Sequence, residues 1–486
     1  MHWGRAARVP VGFVVAILLV STGCAGAASA APASSTQTVT FESAATFSRP
    51  PNTGHIIEPI SVVPPALAAS GYVEQEFFAS GTATAFSAKS TPSDGRWSIT
   101  PTARAPYATR ILVRRPSDPA KFNGTVVVEW MNVSDGESAP DWQYLNPMLM
   151  RDGYAYVAVS AQALAVDGGK AILGQAAAVT TGLVQAEPAR YGSLHHPGDQ
   201  YALDIFAQIG KALEAPHPIA LGGLRPKRIV AVGESQSAYF LTTFADAVQP
   251  RTNIFAGIFI HSRGGSGAPL SGSVTSNQGP NNLRIRTDLK IPVFMYETQT
   301  DLVQLGYAPA QQPNTDRIRT WEVAGTSHAD TYDLDGVSPS IIGCTTPIND
   351  GPQHEVVQAA FSAFENWLVD GKAPPSPPPF KLDSTNPPVL ALDQNGNVIG
   401  GVRTPAVDVP VSTLSGAAPA GTTPLCQLFG ETTPFSPAKL TRLYKSRAGY
   451  LDAYTTSLDK AIAEGYILGA DRDSLLTQAM QVQFPA

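Results

Sequence analysis

The stretch RIVAVGESQSAYFL (residues 228–241) combines three kinds of sequence. Its β-branched, apolar residues 229–232 are typical of a buried strand, and its last residues favour a helix. Between them lies a polar turn with Ser235 at its centre, flanked at two-residue spacing by the small residues Gly233 and Ser237. We therefore expect a strand that turns sharply into a helix and presents Ser235 at the edge of a sheet.

This pattern matches the G-x-S-x-small form of a nucleophile elbow. Small flanking residues let the strand and the helix approach closely, and the helix start directs the N–H of Gln236 at the serine, where it can stabilise an oxyanion. The alternative is an ordinary turn with a serine cap. A second match, GTSHA (residues 325–329), has no helix pattern after it, so we do not select Ser327 as the nucleophile.

A serine nucleophile needs a general base, and the base needs an orienting acid. Asp301 follows the apolar strand pattern IPVFMYE, and His328 follows the next one, RTWEVAG. The order Ser235, Asp301, His328 is the chain order expected after such an elbow. Glu297, on the first of these strands, remains the alternative acid.

The loop after TVVVEW (residues 125–130) is expected to supply the second oxyanion donor. Val133 N–H is our candidate, with Asn132 and Ser134 as neighbouring alternatives. No Cys or His spacing predicts a metal site, and the chemistry requires no cofactor.

The composition is that of a globular protein and gives no indication of nucleic-acid binding. The chain has 486 residues, of which 43% are hydrophobic and 15% charged, as in globular proteins. Its 33 basic and 39 acidic residues form no long runs, so nucleic acid is not an expected partner.

The N-terminus predicts export. Residues 1–30 contain two arginines, an apolar run and a small-residue stretch, which together are typical of a signal peptide cleaved after Ala30. The run is too short to predict a membrane span. An alternative makes Cys24 a lipid-modified N-terminus, although Ser21 stands where a large apolar residue is usual.

Removal of the predicted signal peptide, which contains Cys24, leaves Cys344 and Cys426 as the two cysteines of the exported chain. We predict that they form a disulfide; two unpaired buried thiols are the alternative. The bridge would hold the C-terminal part beside the loop of His328.

Residues 262–282 show no pattern of a helical cap, so we expect the C-terminal part of the chain to form a wall of the active site, with GGVRTP (residues 400–405) as the nearest candidate. The alternative is a peripheral module that protects a sheet edge.

Strand patterns separated by helix patterns predict an α/β fold, with a mostly parallel sheet flanked by helices. The first strand patterns indicate an antiparallel entry to the sheet. The predicted organisation is a signal peptide (1–30), an extended arm (31–70), a catalytic core (71–371), a Pro-rich linker (372–388) and a C-terminal module (389–486) packing on the core. In that module, Asn395-Gly396 predicts a hairpin, followed by two helical segments.

Seven ordered motifs resemble those of the α/β-hydrolase-domain family of exported bacterial proteins. They are EWxNVS (129–134), GESQSA (233–238), IHSRGG (260–265), ETQTD (297–301), AGTSHAD (324–330), GPQH (351–354) and GGVRTP (400–405). The resemblance covers roughly residues 70–480. It implies the α/β-hydrolase fold and a Ser–acid–His hydrolase, and leaves the substrate open.

The leading hypothesis is a secreted serine hydrolase that cleaves small-molecule carboxylic esters by a Ser–Asp–His triad through an acyl-enzyme. One alternative is an acyltransferase of the same fold, in which an alcohol replaces water. Another is an exported binding protein with a vestigial site.

Overall fold

The computed structural model describes residues 43–60, 67–170, 179–272 and 281–484. The predicted signal peptide and Cys24 lie outside these residues. All of the described residues belong to one compact unit, Thr40–Ala486. No helix within the described ranges has both the length and the apolar character needed to cross a bilayer.

One large sheet organises the fold. Within the described residues it has nine strands in the order β1-β2-β3-β5-β4-β6-β7-β8-β9. They are β1 (Thr46–Ser48), β2 (Tyr72–Ala88), β3 (Ile99–Pro116), β4 (Thr125–Trp130), β5 (Ala155–Val159), β6 (Arg228–Glu234), β7 (Gly257–His261), β8 (Val293–Glu297) and β9 (Ile318–Glu322). Strands β4 to β9 are mutually parallel, whereas β1 to β3 are antiparallel and β3 joins β5 antiparallel. The predicted mostly parallel sheet with an antiparallel entry is thus confirmed.

Helices cover both faces of the sheet. Their bounds are α1 (Pro140–Arg151), α2 (Ala202–Leu213), α3 (Gln236–Thr243), α4 (Gln299–Val303), α5 (Gln353–Asp370), α6 (Pro437–Tyr444), α7 (Arg447–Glu464) and α8 (Arg472–Gln481). Alternate residues of the central strands enter different cores: Val126 and Val128 pack with residues of α2 and α3, while Val127 packs with residues of α1 and α5. Strands buried on both faces explain the continuous apolar runs in the sequence.

Shorter elements connect these pieces. The one-turn α-helices are Ala163–Asp167, Leu183–Ala186, Pro188–Tyr191, Gln249–Thr252, Thr331–Leu334, Pro405–Asp408 and Pro424–Leu428, and a π-helical turn, Phe244–Val248, follows α3. The 3-10 turns are Pro119–Lys121, Asp199–Tyr201, Ile219–Leu221, Ala308–Ala310, Pro339–Ile342 and Gly469–Asp471. The small two-stranded pairs are Gly169–Lys170 with Val179–Thr180, Leu382–Thr385 with Pro388–Leu390, and Ser412–Ser415 with Glu431–Pro434.

The C-terminal region packs against the sheet. Leu458 of α7 and Leu475 of α8 belong to the same buried cluster as Trp321 of β9. The Pro-rich segment also contacts β9, because the indole N–H of Trp321 donates to the Pro375 carbonyl at 2.9 Å. The boundaries that we drew at residues 371 and 388 remain predictions.

The predicted hairpin around Asn395-Gly396 is present in a short form. Leu392 and Val398 form an antiparallel bridge, and the backbone N–H groups of Asp393 and Ile399 donate to the carbonyls of Asn397 (2.8 Å) and Ala391 (3.0 Å). The Asp393 side chain accepts hydrogen bonds from Asn395 N (2.7 Å) and Asn397 N (3.0 Å). These side-chain bonds stabilise the turn, and the paired segments on either side of it are shorter than regular strands.

The segment GGVRTP extends the edge of the large sheet. Val402 forms a parallel bridge with Val323, just beyond β9, and its N–H donates to the Glu322 carbonyl at 2.7 Å. This segment therefore covers the β9 side of the sheet.

Cys344 and Cys426 form a disulfide with their Cα atoms 5.3 Å apart, as the cysteine count predicts. Both cysteines are buried in an apolar cluster that includes Ile348 and Phe429. The bridge joins residues separated by 82 positions in sequence, so it constrains a long loop of the unfolded chain.

We expect the double variant Cys344→Ser/Cys426→Ser to lose about 4 kcal/mol of unfolding free energy, because the unfolded chain regains the entropy of the open loop. Chemical denaturation measures the difference. A reducing agent should lower the stability of the wild type to that of the variant and leave the variant unchanged. If wild-type stability does not fall after complete reduction, as shown by thiol titration, the bridge does not stabilise the fold.

Candidate active site

Ser235 occupies a strained turn between β6 and α3. Its φ is 58° and its ψ is −117°, a conformation that costs a non-glycine residue about 1–3 kcal/mol. The flanking residues must be small: a Cβ added to Gly233 would lie 2.9 Å from Leu241 Cδ1 and 3.0 Å from Ser237 Cβ. The turn has the strand–turn–helix geometry of a nucleophile elbow, with a half-buried serine at its apex.

His328 lies within hydrogen-bond distance of both predicted partners. Its Nε2 is 2.8 Å from Ser235 Oγ, and its Nδ1 is 2.7 Å from Asp301 Oδ1. Asp301 is fully buried and His328 is nearly so. An N–H at Nδ1 bonded to Asp301 leaves Nε2 free to accept the serine proton.

The loop after β8 fixes the carboxylate of Asp301. Its Oδ2 accepts hydrogen bonds from both the backbone N–H and the hydroxyl of Thr298, each at 2.7 Å. Thr298 is also the N-cap of α4, and Asp301 is the third residue of that helix. This capping box determines where the acid lies. The backbone N–H of His328 donates to Thr300 Oγ1 of the same helix at 3.1 Å.

The two alternatives from sequence lie elsewhere. Glu297 shares a face of β8 with Met295 and is fully buried, and burial together with the nearby charge of Asp301 raises its pKa well above the ordinary value. No contact within the described residues joins its carboxyl group to His328. Ser327 is buried, and its hydroxyl donates to the Ala329 carbonyl at 2.6 Å.

Candidate oxyanion donors flank Ser235. Gln236 is the first residue of α3, so its N–H has no intrahelical acceptor. On the β4 side, the N–H of Asn132 donates to the Ser138 carbonyl at 2.9 Å, and that of Ser134 donates to Asn132 Oδ1 at 2.7 Å. These bonds remove two of the three sequence candidates and leave the buried Val133 between them.

Ser235 and His328 open into a cavity of about 510 Å³. One part of its lining is carboxylic, with Asp135, Glu234, Asp333 and Asp335, and no Lys or Arg stands among its lining residues within the described chain. Burial raises the pKa of Asp333 to about 6. The apolar part includes Leu334, Val337, Ile342, Leu425, Leu428 and Phe429, together with Ile60, Pro140 and Ala329.

Most of the apolar lining comes from the two chain segments that the disulfide joins. Leu425, Leu428 and Phe429 surround Cys426, and they pack with Leu334 and Ile342 from the segment that follows His328. The C-terminal region thus contributes a wall of the cavity, as expected, but our choice of GGVRTP was wrong. That segment hydrogen-bonds along the sheet edge, and the one-turn helix Pro424–Leu428 takes its place. No helix occurs in 262–272 or 281–292.

Sequence reasoning missed Glu234. Its Oε1 lies 3.3 Å from His328 Nε2, and its Oε2 lies 3.4 Å from Asn132 Nδ2. The available signal was an acidic residue directly before Ser235 in the elbow. Across the described ranges, no group of three or more His, Cys, Asp or Glu side chains is arranged to hold a metal ion.

Solved structures that resemble this chain include three esterases. A CE15 glucuronoyl esterase from Teredinibacter turnerae T7901 shares 13% identity, with 58% of this chain and 75% of that chain covered and a TM-score of 0.27. An esterase from Rhizomucor miehei shares 9% identity, with 60% and 85% covered and a TM-score of 0.31. Esterase Est22 shares 13% identity, with 60% and 80% covered and a TM-score of 0.32.

No curated protein matches the chain in sequence. The family model of the alpha/beta hydrolase domain matches residues 31–477, which is nearly the whole chain. Together with the parallel sheet described above, this match shows that the chain belongs to the α/β hydrolase domain family.

Proposed function

We propose that this protein is an exported serine hydrolase that cleaves carboxylic esters through an acyl-enzyme on Ser235. The observation that carries the proposal is the pair of hydrogen-bond distances at His328: 2.8 Å to Ser235 Oγ and 2.7 Å to Asp301 Oδ1. Nucleophile, base and orienting acid are connected in the order that acyl transfer requires. The family membership supports the same class of chemistry.

In the first half of the reaction, Ser235 Oγ attacks the ester carbonyl carbon while its proton passes to His328 Nε2. Asp301 stabilises the resulting imidazolium through Nδ1–H. The N–H groups of Gln236 and Val133 stabilise the oxyanion. The tetrahedral intermediate collapses, and the leaving alcohol takes the proton from Nε2. In the second half, water enters as the nucleophile and the carboxylic acid is released.

The substrate is a small molecule with an apolar portion. A cavity of about 510 Å³ is in the range of ligand pockets, and its apolar wall can cover an acyl or alcohol chain. The disulfide supports an oxidising compartment, which agrees with the predicted export signal.

Ser235→Ala should reduce kcat for a p-nitrophenyl ester by about 10⁶-fold, because no other group at the elbow can form the acyl-enzyme. Steady-state hydrolysis measures the loss, and circular dichroism checks the fold. Ser327→Ala is the matched control, since that serine fits the same motif but lies outside the elbow, and it should retain measurable turnover. A folded Ser235→Ala protein that keeps wild-type activity would contradict the proposed nucleophile.

Asp301→Asn should reduce kcat by about 10⁴-fold, because a carboxamide can favour the wrong tautomer of His328. Glu297→Gln is the control, because it also removes a buried carboxyl, four residues before Asp301 at the end of β8. It should reduce kcat much less than Asp301→Asn does. Parallel measurements on one ester decide between the two acids. A larger loss in Glu297→Gln would transfer the acid role to Glu297.

A further inference from the structure

Glu234 lies in the active-site cavity beside the catalytic imidazole. It is the last residue of β6, and its side chain is 9% exposed. The amide of Asn132 contacts it twice, donating to the Glu234 carbonyl at 3.2 Å and lying 3.4 Å from Oε2. These contacts hold the other carboxylate oxygen, Oε1, 3.3 Å from His328 Nε2.

Ser235 Oγ and Glu234 Oε1 therefore approach the same nitrogen, Nε2 of His328. A neutral imidazole has a single lone pair at Nε2, and in the free enzyme the serine O–H donates to it. Once Ser235 is acylated, its Oγ carries no proton and cannot donate. Two acceptors, Nε2 and Oε1, then face the cavity, and one molecule with two O–H donors can satisfy both.

We propose that Glu234 is a catalytic residue of deacylation, which accepts a hydrogen bond from the hydrolytic water while His328 Nε2 receives that water's other proton. This inference rests on the proposed function. Glu234 would orient the incoming water between His328 and the acyl carbonyl carbon, a role that none of Ser235, Asp301 and His328 has in the mechanism above.

The step conserves protons and bonds. The water oxygen forms a bond to the acyl carbon as one water proton moves to Nε2, and the second proton stays hydrogen-bonded to Oε1. When the tetrahedral intermediate collapses, the bond from carbon to Ser235 Oγ breaks and the proton on Nε2 passes to Oγ. The carboxylic acid leaves, and Glu234 ends the cycle in its original protonation state.

Besides Asp135, which lines the same cavity, seven titratable groups lie on the elements around Glu234. They are Glu129 of β4, Asp141 and Tyr144 of α1, His261 of β7, Asp301 of α4, and His328 and Asp333 after β9. Burial raises the pKa of Glu234 well above its ordinary value, and the carboxylates of Asp333, Asp141, Asp301 and Glu129 raise it further.

Deprotonation makes Glu234 a pure acceptor, so deacylation should become faster as the pH rises through this elevated pKa. The acylation step depends on His328 and requires no proton change at Glu234. The pH profile of deacylation should therefore contain an ionisation that the profile of kcat/KM lacks.

The test measures deacylation directly. The enzyme is mixed with p-nitrophenyl acetate, and intact-protein mass spectrometry after rapid quenching follows the decay of the acetyl-enzyme. We expect Glu234→Gln to slow this decay by about 10- to 100-fold, because the water is misoriented, while kcat/KM changes by less than about 3-fold. The pH-dependent ionisation of the decay rate should also disappear.

Glu297→Gln is the matched control, because Glu297 is also a buried carboxyl at the end of a parallel strand but is not among the residues that line the cavity. Its decay rate should stay within about 3-fold of the wild type. If Glu234→Gln does not fold, Glu234→Asp retains the charge but withdraws the oxygen from Nε2, and it should show the same slow decay.

Equal losses in the decay rate and in kcat/KM would overturn the assignment, because they would place Glu234 in acylation as well. An unchanged decay rate in both Glu234 variants would also overturn it. A failure of the proposed function is separate: the wild type would then form no acetyl-enzyme, or Ser235→Ala would form one.

Discussion

The turn at Ser235 is the constraint on which the rest of the site depends. A non-glycine residue with φ of 58° and ψ of −117° is strained by about 1–3 kcal/mol, so the surrounding structure must hold it. The N–H of Ser235 donates to the His261 carbonyl of the neighbouring strand at 2.9 Å. Gly233 has no side chain and Ser237 a small one, so α3 can pack close to β6. The parallel sheet therefore supplies the rigidity that presents the serine.

Parallel strands also bring distant residues of the chain to one edge. The loops after β8 and β9 place Asp301 and His328 beside the elbow, and the loop after β4 places Asn132 against Glu234. Behind this edge, Glu129 accepts hydrogen bonds from the N–H groups of Asp141 (3.0 Å) and Trp142 (2.8 Å) at the start of α1. Buried carboxylates thus fix loop and helix positions, and burial raises the pKa of Glu129 and Glu234.

The sequence predicts the parallel sheet, and it selects Ser235, Asp301 and His328, whose side chains lie within hydrogen-bond distance of one another along the series, because apolar strand patterns and the positions of loops are local signals. The cavity wall depends on long-range packing, so GGVRTP was the wrong choice and the segment around Cys426 took its place. The short hairpin at Asn395-Gly396 follows from local turn chemistry that the sequence shows, and the side chain of Asp393 stabilises its turn. The contact of Glu234 with His328 depends on side-chain orientation at a strand end, which no sequence pattern specifies.

Covalent labelling with a fluorophosphonate probe identifies a nucleophilic serine. The purified protein is treated with a fluorophosphonate probe, and peptide mass spectrometry locates the adduct. We expect one phosphonylated residue, Ser235, with labelling abolished in Ser235→Ala and retained in Ser327→Ala. An unlabelled wild-type protein, or an adduct on a different serine, would contradict the proposed nucleophile.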